Sequence, residues 1–313
     1  MENLIAIVGP TSVGKTKISI ELAKKLNTEI ISGDSMLVYK GLNIGSAKPS
    51  IEEQEDIVHH LVDILEPNEK FSVALFQKLA SKSITEINNR GRIPILAGGT
   101  GLYLRALLEG YNFDEVTSNK KLREEFLKIA ETEGNEKLYN ILVEKVPEIK
   151  DKFHYNDVKR TIRALEIHYL SGRKISESKI TSQDTLYNSL IIGLTMERKS
   201  LYEKINKRVD IMISNGLVAE VEYLLKNNGV SRNAQAMQGI GYKEIVEYLS
   251  GEVNLETAIY NIKIATRRFA KRQITWFKKM PYINWIEINE NSNFLEIIEN
   301  IFESCRKIFP KVK

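Results

Sequence analysis

The period of the apolar positions changes several times along this chain, and each change marks an element. Leu4-Ile5-Ala6-Ile7-Val8 is an unbroken apolar run of strand length and reads as a buried strand. Ile18, Leu22 and Leu26 then recur every four residues, as on one face of a helix, and Glu29-Ile30-Ile31 predicts a short second strand. His59 through Leu65 predicts a third strand, whose adjacent histidines point to opposite faces; that makes a shared metal unexpected and a solvated pair expected. Val73, Phe76, Ala80, Ile84 and Ile87 predict a helix ending before Gly91. A strand at Ile93 to Ala97 and a helix marked by Leu102, Tyr103, Ala106 and Leu107 follow. Met36 through Pro49 sustains no period and reads as an ordered surface loop.

From about Phe113 to Tyr187 the strand-like runs stop, charges become dense and helical spacing appears in pieces such as Leu122, Phe126 and Ile129. A strand returns at Leu190 to Thr195, so the stretch interrupts the sheet and does not simply follow it. Beyond it everything reads as helix: Ile205, Val209, Met212 and Ile213 form one stripe with Arg208 and Asp210 off it, and Val218, Val221, Leu224 and Leu225 form another. A glycine-punctuated turn at Gln238-Gly239-Ile240-Gly241-Tyr242-Lys243 precedes Asn254, which is suited to cap a long helix running through Met280. The predicted class is α/β: a P-loop-type parallel sheet core with a helical insertion domain and a helical C-terminal part. Its predicted domains are residues 1–112 (first part of the core), 113–188 (helical insertion) and 189–313 (return of the core with basic helices).

Composition narrows the function classes. The 313 residues are 42% hydrophobic and 27% charged, ordinary for a chain with a sizeable core. The first apolar run is five residues long with Glu2 before it, so neither a signal peptide nor a membrane span is expected, and the cytoplasm is the expected compartment. A single cysteine, Cys305, excludes an internal disulfide, and His59, His60, His154 and His168 lack zinc-ligand spacing. The net charge of +4 is modest, but its distribution is not. Between Thr257 and Ile286 there are seven basic residues and no acidic one, with Lys263, Arg267 and Lys271 in step on one helix face and Phe269 and Trp276 a heptad apart on another. Solvated faces usually interleave carboxylates, so this stripe favours a polyanion partner.

The stretch that carries most chemistry is Gly9-Pro10-Thr11-Ser12-Val13-Gly14-Lys15-Thr16, which fits G-x-x-x-x-G-K-[ST] between a predicted strand and a predicted helix. Its amides and helix N-terminus suit an anion, Lys15 can reach terminal phosphates, and the Thr16 hydroxyl suits Mg²⁺. Asp34 and Thr100 follow two other predicted strands and so fall at the same carboxyl edge of a parallel sheet, where ligands bind. Asp34 could equally cap a turn, and Gly98-Gly99-Thr100 could be a simple tight turn. Lys159, Arg160 and Arg163 fit a solvated helix face or a phosphate-contacting one.

Taken in order, these stretches resemble one family, the tRNA dimethylallyltransferases. The resemblance is carried by the Gly9 to Thr16 loop, Asp34 to Gly41, Ile44 to Pro49, Gly98-Gly99-Thr100, Arg163-Ala164-Leu165-Glu166, Gly241-Tyr242, Ala265 to Arg268 and Lys271 to Trp276. On its own the cradle suggests an ATP-type nucleotide site. The resemblance implies instead that it holds the diphosphate of dimethylallyl diphosphate, with Mg²⁺, for transfer of the allyl group to an adenosine beside the anticodon. It implies Asp34 as the base, Thr100 as a contact near the leaving group, and Lys15 and Arg208 as diphosphate ligands. Contacts to the tRNA anticodon stem-loop are implied at Asp34, Ser35, Met36 and Leu37, at Thr100 and Arg123, and at Lys159, Arg160, Thr161, Ile162 and Arg163. They are implied also at Gln238, Gly239, Ile240, Gly241, Tyr242 and Lys243, and along Lys271, Arg272, Gln273, Ile274, Thr275, Trp276, Phe277 and Lys278. A monomer is expected. A small-molecule P-loop kinase, a nucleic-acid-binding NTPase and an enzyme prenylating free adenosine nucleotides are the competing classes; the acid-free stripe argues against the first, the lack of an aspartate ending Ile93 to Ala97 against the second, and the large insertion with the basic helix against the third.

Overall fold

A computed structural model describes residues 1–111, 119–150, 152–171, 185–289 and 291–310. The chain divides into two compact units, one made of Met1–Gly110 with Ser182–Lys313 and the other of Tyr111–Thr181. The predicted boundary at residues 112–113 lies outside the described residues.

The first unit opens with β1 (Asn3–Val8), α1 (Lys15–Leu26) and β2 (Ile30–Ser32), and continues through α2 (Ile51–Gln54), β3 (His59–His60), α3 (Val73–Asn89), β4 (Ile95–Gly98) and α4 (Gly101–Leu108). In the second unit, α5 (Lys120–Glu133), α6 (Asn135–Lys145) and α7 (Val158–Ser171) pack around Phe126, Leu138, Leu142 and Leu165. The first unit resumes with β5 (Asn188–Met196), α8 (Arg198–Ser214), α9 (Leu217–Lys226), α10 (Tyr242–Leu249), α11 (Leu255–Phe277), β6 (Asn284–Ile288) and α12 (Phe294–Ile308).

Among the described residues one six-stranded sheet forms, in the order β3-β2-β4-β1-β5-β6, and its pairings are parallel. β1 lies inside it and is apolar on both faces: Leu4, Ala6 and Val8 join one core cluster, and Ile5 and Ile7 the other. A strand buried on both sides has no reason to alternate, which is why its sequence is a continuous apolar run. Each such buried side chain contributes roughly 1.5–3 kcal/mol of transfer free energy. On the second face Ile18, Leu22 and Ala23 of α1 meet Ile301, Phe302 and Cys305 of α12. On the first face α3, α4, α10 and most of α11 contribute, through Phe76, Leu104, Ile245, Ile262 and Phe277.

Two expectations need correction. The C-terminal part is not all helix, because Asn284–Ile288 pairs with β5 as an edge strand. Its alternation is blurred, with exposed Asn284, Trp285 and Glu287 leaving little apolar pattern to read. The strand expected over His59 to Leu65 stops at His60, since Leu61 and Asp63 have φ of 61° and 53°, left-handed values that end pairing. Nor are the histidines simply solvated: His60 Nε2 lies 2.7 Å from Glu29 Oε2, within a cluster that Arg90 and Arg92 complete.

Candidate active site

The carboxyl ends of β1, β2 and β4 bring three turns together in the first unit. β1 runs into the Gly9 to Gly14 loop, and Gly14 opens α1 at φ 107°, a conformation that side-chain-bearing residues avoid. β2 and β4 end in direct backbone contact. A Cβ on Gly98 would sit 2.5 Å from Gly33 O, so only glycine lets the turns carrying Asp34 and Thr100 approach this closely.

Three groups in this cleft, Lys15, Ser12 and Arg208, suit an anion. The Lys15 ammonium is enclosed by the loop, donating to Pro10 O at 2.7 Å. Burial pulls its pKa down from 10.5 to about 8, against the opposing influence of the Asp34 carboxylate and with some help from the Arg208 charge. Ser12 takes φ 66° within the loop, and its buried Oγ has no hydrogen-bond partner. Arg208, projecting from α8, makes no hydrogen bond or ion pair among the described residues. Burial lowers its pKa, with Asp34 and Glu53 acting in the opposite sense. Two desolvated cations and an orphan hydroxyl converging at the N-terminus of α1 form a strong anion seat.

Asp34 Oδ1 accepts from Met36 N–H at 2.8 Å, an Asx turn that orients the carboxylate and leaves Oδ2 for a substrate. Two cavities meet at this residue. One, of about 430 Å³, is lined by Ser12, Gly14, Lys15, Thr16 and Gly99. The other, of about 450 Å³, is lined by Thr100 and by apolar Met36, Ile205, Val209, Met212 and Ile262. Thr11, Asp34, Ser46, Arg208 and Phe269 line both. The α8 part of this lining, Ile205, Val209 and Met212, carries the spacing of an ordinary apolar stripe, and nothing in that spacing distinguishes core from cavity wall; Ile262 of α11 carries no signal in the sequence. Phe269 was visible as half of an aromatic pair.

The Met36 to Pro49 loop is held by Glu220, which carries no signal in the sequence, and by Tyr242, which was expected to contact RNA. Glu220 on α9 accepts from the backbone N–H groups of Asn43, Ile44 and Gly45 at 3.0, 2.8 and 3.2 Å, and from the Tyr242 hydroxyl at 2.7 Å. The Tyr242 oxygen in turn accepts from Ser46 N–H at 3.2 Å. Tyr242 is therefore an internal brace, fully buried. No local motif announces such a pairing.

The residues expected to face RNA separate into two groups. Ser35, Met36, Gln238, Gly239, Ile240 and Gly241 line the apolar cavity, whereas Leu37 lines the anion-binding one. Lys243, Lys271, Arg272, Thr275, Trp276 and Lys278 are exposed, and Ile274 is half-buried. Phe277 and Gln273 are buried, and Gln273 is occupied within the cleft itself. Of the in-step basic stripe, Lys263 pairs with Asp210 at 2.6 Å and Arg267 donates to Asn206 at 2.9 Å, so this end of the stripe docks α11 on α8. In the second unit, Lys159 and Arg160 are exposed while Thr161 and Ile162 are buried. There Arg123 and Arg163 both reach the fully buried Glu166 carboxylate, at 2.8 and 2.6 Å, which holds it below the usual range against the opposing effect of burial.

Comparison with known proteins resolves which kind of P-loop chain this is. A family profile described as IPP transferase matches residues 37–280, and one described as isopentenyl transferase matches residues 2–63. The tRNA dimethylallyltransferase of Caldanaerobacter subterraneus subsp. tengcongensis is 47% identical over 304 residues, covering 96% of each chain. The chain belongs to the tRNA dimethylallyltransferase family. Its similarity to the family's Bacillus velezensis member is 47% identity over 301 residues, 96% of this chain and 95% of that one. Among solved structures, the full-length tRNA isopentenylpyrophosphate transferase of Bacillus halodurans shares 44% identity with a TM-score of 0.73, covering 98% of both chains. A eukaryotic dimethylallyltransferase described as acting on tRNA shares 32% identity with a TM-score of 0.81, over all of this chain and 82% of that one. The α/β class with a parallel sheet, expected from the sequence, is the fold observed.

Proposed function

We propose that this protein transfers the dimethylallyl group of dimethylallyl diphosphate to the exocyclic amine of the adenosine beside the anticodon of tRNA, releasing diphosphate. The observation that carries the reading is that Asp34 lines both the anion-binding cavity and the apolar one. A carboxylate at that junction is positioned between a diphosphate seat and room for a prenyl tail and a flipped base.

The chemistry follows from the groups present. As the allylic C–O bond breaks, negative charge gathers on the diphosphate, and Lys15, Arg208 and the loop amides lower the energy of that change. Asp34 hydrogen-bonds the adenine amine and accepts its proton as the new C–N bond forms. Thr100 contacts the substrates at the same edge. The apolar walls exclude water, which would otherwise capture the allylic cation. The target base leaves the anticodon-loop stack to enter the cleft, as in enzymes that act on a base.

A magnesium ion fits this donor set. The Thr16 hydroxyl lines the anion-binding cavity and would hold the ion, and Mg²⁺ favours a few hard oxygen ligands completed by phosphate and water. When bound it would neutralise diphosphate charge. Exposed Lys271, Arg272 and Lys278 suit RNA phosphates, as do Lys159 and Arg160 in the second unit. A monomeric enzyme is the expected assembly. The cytoplasm, where tRNA is found, is its expected compartment; among the described residues no helix is long and apolar enough to cross a membrane.

The test is mass analysis of nucleosides after the protein, dimethylallyl diphosphate, Mg²⁺ and unmodified tRNA are incubated together. A dimethylallyl-adenosine at the anticodon-adjacent position is expected, and its absence from an otherwise folded, tRNA-binding preparation overturns the reading.

A further inference from the structure

Gln273 lies near the C-terminal end of the basic helix α11, between exposed Arg272 and half-buried Ile274, yet its side chain is 4% exposed and lines the anion-binding cavity. Its Oε1 accepts from Thr11 N–H in the cradle at 2.9 Å, and its Nε2 donates to Gly99 O in the β4 turn at 3.0 Å. One amide thus bridges two turns 88 residues apart in sequence (99 − 11), using its acceptor on one and its donor on the other. The fit leaves no slack: a Cβ on Gly99 would lie 2.2 Å from Gln273 Nε2.

We infer that Gln273 is a positioning residue for the leaving group, setting the separation between the diphosphate cradle and the turn that carries Thr100. The inference rests on the transfer reaction proposed above and assigns Gln273 to the diphosphate side of it. The geometry supports that assignment in two ways. First, the two bonds require opposite polarity at the two ends of one planar group, which an amide alone among the side chains of this length and charge provides. Second, Thr11 belongs to the lining of both cavities, so a shift of its backbone moves the wall shared by diphosphate and acceptor base. Because Gln273 neighbours exposed Arg272, the helix that presents cations to RNA is mechanically continuous with the cradle floor.

The test compares Gln273→Leu and Gln273→Glu with the parent protein. Gln273→Leu removes both hydrogen bonds, while Gln273→Glu keeps the shape and the acceptor for Thr11 but opposes Gly99 O with a second acceptor. At saturating tRNA, the KM for dimethylallyl diphosphate is expected to rise about tenfold or more in either variant, the size of effect that one lost buried hydrogen bond produces. The tRNA dissociation constant and its salt dependence are expected to stay within about twofold of parental values, on the same scale of comparison. An unchanged KM with a lowered unfolding midpoint makes Gln273 a packing residue and overturns the inference. A raised tRNA dissociation constant with an unchanged KM makes it an RNA contact and overturns it too. If Gln273→Leu does not fold, Gln273→Glu decides by the same readouts. Inactivity of the parent protein would instead strike the transfer reading itself, so the two failures are distinct.

Discussion

The Asp34 carboxylate opposes the effect of burial on the Lys15 ammonium, and the balance leaves Lys15 with a pKa of about 8. The proposed proton acceptor thus also favours the charged form of the neighbouring cation.

Two pH dependences of opposite sign follow. In the proposed reaction Lys15 would bind diphosphate as a cation, so the KM for dimethylallyl diphosphate should rise as pH climbs through about 8. Stability of the ligand-free protein should move the other way. Between the folded pKa of about 8 and the ordinary 10.5, the unfolded chain holds more protons at this residue, so unfolding becomes harder as pH rises through that window. Denaturant titrations at several pH values should show the rise in the parent and a smaller one in Lys15→Met.

Lys15→Ala removes the one side-chain cation built into the cradle and should abolish transfer by weakening diphosphate binding, while tRNA affinity survives. Calorimetry of dimethylallyl diphosphate with the tRNA-bound protein checks it; equal binding by mutant and parent contradicts it.

Asp34→Asn keeps the size and an acceptor for Met36 N–H, so the turn should persist and both substrates should bind. The single-turnover rate should fall about 10²- to 10⁴-fold, the usual loss of a general base and equivalent to roughly 3–5 kcal/mol of barrier. A rate within a few-fold of parental, with both substrates saturating, would reduce Asp34 to a turn residue.

Replacing Lys271, Arg272 and Lys278 together with alanine should weaken tRNA binding and flatten its salt dependence by roughly 0.7–0.9 in log–log slope per lost phosphate contact. Lys263→Ala and Arg267→Ala should leave the slope in place, because those cations are committed to Asp210 and Asn206 on α8. Filter binding across a salt series separates the two sets.

Tyr242→Phe deletes the hydroxyl that Glu220 accepts from and that Ser46 donates to, leaving both without that partner. A loss of about 0.5–1.5 kcal/mol in unfolding free energy is expected, the usual worth of a hydrogen bond, because Ser46 and Glu220 are only half-buried. A midpoint unchanged in urea would mean the loop is held by Glu220 alone.

What could be read in advance was whatever the chain states locally. The cradle is contiguous, β1 is a continuous apolar run, and Asn254 does cap α11 by accepting from Thr257 N–H. Asp34 and Thr100 could be brought together because parallel strands deliver their carboxyl ends to one edge. Pairings across long sequence distances were not legible: Glu220 with three loop amides, Gln273 with Thr11, and Arg123 with Glu166. Each is a polar residue on a helix whose neighbours predict only a solvated or RNA-facing position. The acid-free stripe failed for the same reason at one end, since the carboxylate that neutralises Lys263 belongs to α8, not α11.

The order of strands also has a bearing on how the chain is made. β1 lies between β4 and β5, and β5 lies beyond the whole of the second unit. During synthesis the cradle-bearing strand leaves the ribosome first yet must wait, open along one side, until residues near 196 have emerged. The helix behind it waits longer, because its covering comes from α12 at Phe294–Ile308. The intervening segment has its own apolar cluster and can fold while the rest is being translated. A ribosome stalled between β4 and β5 should therefore display a folded insertion beside an unfinished sheet, with an apolar strand edge exposed to other nascent chains.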